Sequence, residues 1–481
     1  MNKLHKLVLI TSILVFAGCD NFLDIKPKGY TIPENYNDYY KLMNDESLYY
    51  SSYGYINYLN DDMQLGDDTE FSLIQLKNKK DNEQNLYKFE HGQIFTPGNV
   101  DGIYHDSYRQ IYTYNAVINN ILHVKDGSDR EKNKLRAEAL FCRAYMYLNL
   151  VNVYAAHYDP ATAEQDLGVP MCLSEDIGVT YKRVSVAATY RQIKKDLEEA
   201  IPHLGVVSAH PYKPVKSIGY AFIARMYLYM GNYQEAYNNA IQSLEMNDTL
   251  MDLTKYKALK GMLWGRVVTD DNLQTPYPLP HDNKENIFIR FMQDEFNCTT
   301  FVNEDLLKTF KRDLSNGSID KRRELFYSDN EFYRTLTGRP WRFPGRTTFA
   351  PYILVASGFS NAEAYLIAAE CAARLGKLNE TATYLNKLRD HRIKNNVRLS
   401  FTDELSALKT VLDERRREYA FLDYFRLIDL KRLNKDPRFA KTIVHENNGQ
   451  RWELPANDPR YIMPIPQTVL DHNPNMPQYP R

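Results

Sequence analysis

The sequence predicts an all-α protein, a tetratricopeptide-like scaffold of helix pairs interrupted by long irregular insertions. One small-residue frame recurs: Tyr220-x3-Ala224-x2-Tyr227-x3-Gly231 is followed by Tyr233, Ala236 and Ala240, and Tyr365-x3-Ala369-x2-Ala372-x3-Gly376 repeats it 145 residues later. Small residues let two helices approach, bulky neighbours fill the groove between them, and the glycine ends the first helix. Leu140-x3-Ala144-x2-Tyr147 is a weaker third match. A second observation is the run Asp413 to Leu433, which has no Gly or Pro and places Leu412, Tyr419, Phe421, Leu422, Phe425, Ile428, Leu430 and Leu433 at mostly helical steps. Such a stripe predicts one continuous helix packed on others.

Taken from the start, Met1 to Gly18 reads as a signal peptide, with Lys3 and Lys6 as its basic end and Leu7 to Phe16 as an apolar run too short to span a bilayer. Phe16-Ala17-Gly18-Cys19 looks like a lipobox, with Phe where Leu is usual. A diacylated Cys19 would tether the mature chain, 19–481, to a membrane. The alternative is an ordinary secretory signal with a chance Cys. Eight tyrosines fall between Tyr36 and Tyr58, and the acidic pairs Asp61-Asp62 and Asp67-Asp68 follow. These pairs read as solvated loop acids, with a cation or sugar hydroxyls as alternative partners.

Helical patterns over Ile103 to Val124 and Leu135 to Tyr154 predict a hairpin. The helix pairs near 103–154, 216–246 and 360–433 are far apart in sequence, so one integrated scaffold over 19–481 is expected rather than a tandem array. The largest insertion, 248–360, holds Trp264 and Trp341 and six of its prolines at 276, 278, 280, 340, 344 and 351, and reads as irregular. Residues 455–481 read as an extended, proline-rich tail.

With 43% hydrophobic and 25% charged residues the chain has the composition of a large globular protein, and a net charge of −1 argues against a nucleic-acid partner. Beyond Cys19 the cysteines are Cys142, Cys172, Cys298 and Cys371, without C-x-x-C spacing, so neither a metal nor a cofactor is expected. No nucleophile elbow, H-E-x-x-H or phosphate-binding Gly-rich loop is present, and no enzyme is predicted. A carboxylate pair brought together by the fold would leave no such motif.

Within 413–433, Glu414 and Glu418 flank Arg415 to Arg417, and Arg426 and Asp429 lie three apart, so opposite charges face one another across single turns. A run of this kind is ordinarily a solvated, self-paired face. The sharper alternative gives Arg416, Glu418, Arg426 and Asp429 a structural role between packed helices. The order E-R-R-x-E-x-A-F over 414–421, then R-x-x-D-L-x-R over 426–432, resembles the C-terminal helix of the SusD/RagB family of nutrient-binding outer-membrane lipoproteins. Its step of eight from Glu418 to Arg426 exceeds the expected seven, leaving the register of the second half open. Asn21-Phe-Leu-Asp-Ile-Lys-Pro27 is similar to the family's opening after the lipid Cys, and Tyr461-Ile-Met-Pro-Ile-Pro-Gln467 with Asn473-Pro474 and Gln478 to its tail.

The resemblance implies a SusD-like lipoprotein on the outer face of the outer membrane that captures a glycan or other oligomeric nutrient for a SusC-like TonB-dependent transporter. A protein-binding tetratricopeptide adaptor would explain the helices but neither the lipobox nor the aromatic insertions. Sugar rings pack on aromatic faces while carboxylates and Arg hold their hydroxyls. With three Trp against 37 Tyr and 21 Phe, a peptide ligand stays open. The expected site is a shallow, solvent-facing surface made by the Tyr53 to Asp68 segment and the long insertion. Trp264, Trp341, Tyr55, Tyr277 and Phe296 would be its rings and Asp67, Asp68 and Arg342 its polar groups. Packing of loops is the competing account of these aromatics.

Overall fold

The computed structural model describes residues 33–481 apart from 71, 177, 209, 260–265, 294–299, 328–332, 337–338 and 343–355. The signal peptide, Cys19, the segment 21–27, Trp264, Phe296 and Cys298 lie outside the described residues.

Among the described residues, nine long helices carry the architecture: α1 (Gly102–Asn120), α2 (Asp129–Tyr154), α3 (Val186–Ala200), α4 (Lys216–Tyr229), α5 (Tyr233–Met246), α6 (Asn361–Arg374), α7 (Leu378–Arg389), α8 (Glu404–Tyr419) and α9 (Phe425–Leu433). Their ends follow local chemistry. Asp101 caps α1 by accepting from Tyr104 N, and Ser128 and Glu131 form a capping box on α2. Gly231 and Gly376, at φ of 74° and 73°, close α4 and α6 in the left-handed region where glycine carries no Cβ penalty. The predicted hairpin is α1 on α2, and the two clear frames are α4–α5 and α6–α7. The weak frame at Leu140 lies in α2, which packs on α3, a helix to which no frame pointed. Ala224, Ala236, Ala240, Ala369 and Ala372 are all fully buried, and α6 packs on both α5 and α8. One apolar cluster runs from Tyr39 to Met476 through these contacts.

The predicted continuous helix over 413–433 is two helices. Ala420 turns to extended backbone, and Phe421 and Asp423 take φ of 64° and 47°. Neither is glycine, so the break is held by tertiary contacts. Phe421 is fully buried in the main core, and Asp423 is buried beside the Tyr145 hydroxyl of α2. The open question of register disappears, because Glu418 and Arg426 belong to different helices.

The insertion 248–360 is also more regular than expected. Asn286 to Gln293 forms an eight-residue strand, β2, parallel to β1 (Tyr50–Tyr53) and antiparallel to β3 (Ser357–Ser360). The run Ile-Phe-Ile-Arg-Phe suits a pleated, half-buried surface. Hairpins pair Tyr256–Leu259 with Arg266–Thr269 and Tyr333–Leu336 with Arg339–Arg342. The tail contains the short helices Pro459–Tyr461 and Gln467–His472 and is anchored by Met463 N donating to Val153 O at the end of α2.

Candidate functional site

The charges in the second half of α8, from Glu414 to Glu418, are neither solvated nor mainly self-paired. Glu414, Arg415, Arg416 and Arg417 are buried, and apart from the Glu414–Arg417 pair their ion-pair partners lie outside α8. Arg416 Nε donates to Asp62 at 2.7 Å and its Nη1 to Asp305 at 2.8 Å, while Arg426 of α9 binds both oxygens of Asp61 at 2.6 and 2.8 Å. Asp61 and Asp62 are therefore buried ion-pair partners rather than solvated loop acids. Burial opposes ionisation of Asp61, but Arg416, Arg426 and Lys441 outweigh it and hold its carboxyl well below the usual range. Glu414 binds Arg389 at 2.9 Å and Arg417 at 2.7 Å; Glu418 binds Arg322 at 2.7 Å and Arg392 at 2.8 Å. One helix thus fastens the Asp61-Asp62 segment, the long insertion and the end of α7. Bidentate guanidinium–carboxylate pairs suit such a junction because they fix orientation as well as distance.

The sequence-predicted site residues fall into five groups. Tyr55 is a core residue, 5% exposed, whose hydroxyl donates to Asp101 at 2.6 Å and accepts from Ile103 N, so it does not belong to a solvent-facing surface. Asp67 and Asp68 are exposed; Asn448 donates to both, and Lys77 lies 3.1 Å from Asp68. Trp341 and Arg342 stand in the hairpin strand Arg339–Arg342, opposite Arg334 and Tyr333. Tyr277 is half-buried, edge-on to Phe326 at 5.9 Å and to Tyr256 at 5.5 Å. Trp264 and Phe296 lie outside the described residues.

The two regions expected to form the site do meet. Met63 and Gln64 pair antiparallel with Val302 and Phe301, and Asn303 N donates to Asp62 O at 2.8 Å. Among the described candidates, Tyr277 lines a feature that the sequence did not announce, a cavity of about 130 Å³ between the insertion and the α8–α9 corner. Its lining includes Tyr277, Phe326, Ser357, Arg392, Glu418 and Tyr419. Burial, and then the nearby Glu285 carboxylate, push the Tyr277 hydroxyl above its ordinary range. Nothing in the sequence spacing could place these six side chains together, since they come from five separate segments.

Comparison with known proteins agrees with this architecture. Residues 21–228 match the family model described as "Starch-binding associating with outer membrane", and residues 361–481 match the model described as "SusD family". The SusD-like protein P2 of Formosa agariphila is 23% identical over an alignment covering 99% of each chain. A SusD superfamily protein from Bacteroides thetaiotaomicron shares the fold with a TM-score of 0.67 at 20% identity, over 93% of this chain and 100% of that one. A laminarin binding SusD-like protein aligns with a TM-score of 0.59 at 17% identity, over 91% and 98% of the two chains. With matched family models at both ends and a shared helical fold between them, the chain belongs to the SusD/RagB family.

Proposed function

We propose that this protein is a lipid-anchored, surface-facing glycan receptor of the outer membrane, which captures an oligosaccharide and passes it to a SusC-like TonB-dependent transporter without covalent chemistry. The family description and the laminarin-binding relative support a carbohydrate ligand, and Phe16-Ala-Gly-Cys19 supports the anchor. The observation that carries the reading is the pairing of Met63–Gln64 with Phe301–Val302, which joins the Tyr53 to Asp68 segment to the long insertion. Trp264, Trp341, Tyr277 and Phe296 are assigned as the stacking rings and Asp67, Asp68 and Arg342 as the polar contacts.

A glycan and peptide array probed with the soluble chain lacking residues 1–19 tests the reading. Capture of a glycan without its turnover is the expected result. Capture of peptides alone would replace the carbohydrate assignment by the peptide one, and turnover of a captured glycan would overturn a binding-only function.

A further inference from the structure

The cavity beside Tyr277 differs in kind from an aromatic surface. Its walls combine ring faces with a saturated charge network. Phe326 meets Tyr277 edge-on at 90°, and Tyr419 stacks on Phe425 at 4.3 Å. Arg392, 2% exposed, gives Nη2 to Glu285 at 2.7 Å and to Glu418 at 2.8 Å, and Arg322 also binds Glu418. Two polar atoms of the lining residues have no hydrogen bond: Arg417 Nε, whose guanidinium is otherwise held by Glu414 at 2.7 Å, and the hydroxyl of Ser357, 6% exposed. Buried hydroxyls are ordinarily satisfied, so an orphan on the wall of a cavity marks a place where a ligand or water completes the shell.

We propose that this cavity is a subsite for a single neutral sugar ring at the end of a glycan chain; the proposal rests on the glycan-binding reading above. Size selects one ring, since about 130 Å³ is well below the roughly 300–1,000 Å³ of clefts that take drug-sized ligands. Glu418 and Tyr419 of α8 and residues 357–360 of β3 are among its walls, and in this proposal the ring held against them is the end of the chain. Charge selects a neutral one. The carboxylates of Glu285 and Glu418 are already matched by Arg392 and Arg322, and an ionised ligand would enter a buried site with no unopposed counter-charge. Hydroxyls can share these charged groups without displacing a pair. The apolar face of a pyranose finds Tyr277 and Phe326, and one hydroxyl finds Ser357.

The test uses the full chain, purified in a non-glycosidic detergent, with glucose, galactose, mannose, xylose and glucuronic acid as probes in saturation-transfer NMR. At least one neutral monosaccharide is expected to bind and glucuronic acid is not. Phe326→Trp, which fills the cavity, is expected to weaken that binding at least tenfold. Ser357→Ala, which deletes only the orphan hydroxyl, should weaken it severalfold and decides the matter if the larger variant does not fold. Binding of no neutral monosaccharide, binding unchanged in these variants, or binding of glucuronic acid as strong as that of the neutral sugars would overturn the subsite. If the array glycans are still captured by wild type and variants alike, the subsite fails and the receptor stands; capture of no glycan at all removes both.

Discussion

Arg415 of α8 and Asp429 of α9 form an ion pair, Nε to Oδ2 at 2.8 Å, although 14 residues separate them. A continuous helix would hold these two positions about 21 Å apart along its axis. The left-handed residues Phe421 and Asp423 fold α9 back so that the pair can close, and Arg432 reaches the other oxygen of Asp429 at 2.8 Å. The corner is thus fixed by charge as well as by burial of Phe421.

Removing one partner of this buried set leaves uncompensated charge. Asp429→Ala is expected to cost about 3–5 kcal/mol, seen as a lower Tm in scanning calorimetry, because Arg415 and Arg432 lose their shared acceptor. Ligand affinity should be unchanged at temperatures where the variant is folded. Full stability with abolished binding would mean that Asp429 serves the ligand instead.

Lys431 predicts a pH dependence. Its ammonium is buried, donates to the carbonyls of Asn152 and Ala155 at the end of α2, and is pushed down by burial to about 7. In the unfolded chain it titrates near 10.4, so between these values the unfolded state holds more protons and stability rises with pH. The stability of wild type relative to Lys431→Met should be flat below about pH 7 and climb above it, by at most about 1.4 kcal/mol per pH unit. Chemical denaturation of both proteins from pH 6 to 9.5 measures the difference; a flat difference over that window would contradict the assignment.

Cys19→Ala should release the protein from membranes. Labelled fatty acid should enter the wild type and not the variant. A variant that stays in the membrane fraction would show that some other segment anchors the chain.

Trp264→Ala and Trp341→Ala should each weaken binding of the best array glycan, by about 1–3 kcal/mol per stacking ring on the scale of buried aromatic contacts. Titration calorimetry measures the loss, and circular dichroism should show an intact fold. Retained affinity in both variants would move the site away from these rings.

The sequence by itself determined the helix pairs, because a frame such as Tyr365-x3-Ala369-x2-Ala372-x3-Gly376 acts within two turns of helix and the turn after them. The proline-rich tail is likewise a contiguous signal, and it lies within the matched family segment 361–481. Tertiary structure alone decided what the charges do. Arg416 meets Asp62 across 354 residues, and no local period encodes such a partner. The same holds for Tyr55, whose ring looked available in a polar segment until Asp101, 46 residues on, took its hydroxyl into the core. The break at Phe421 was hidden for the converse reason. Its residues include no Gly or Pro to signal a stop, and burial of Phe421 with closure of Arg415 on Asp429 offsets the cost of left-handed backbone.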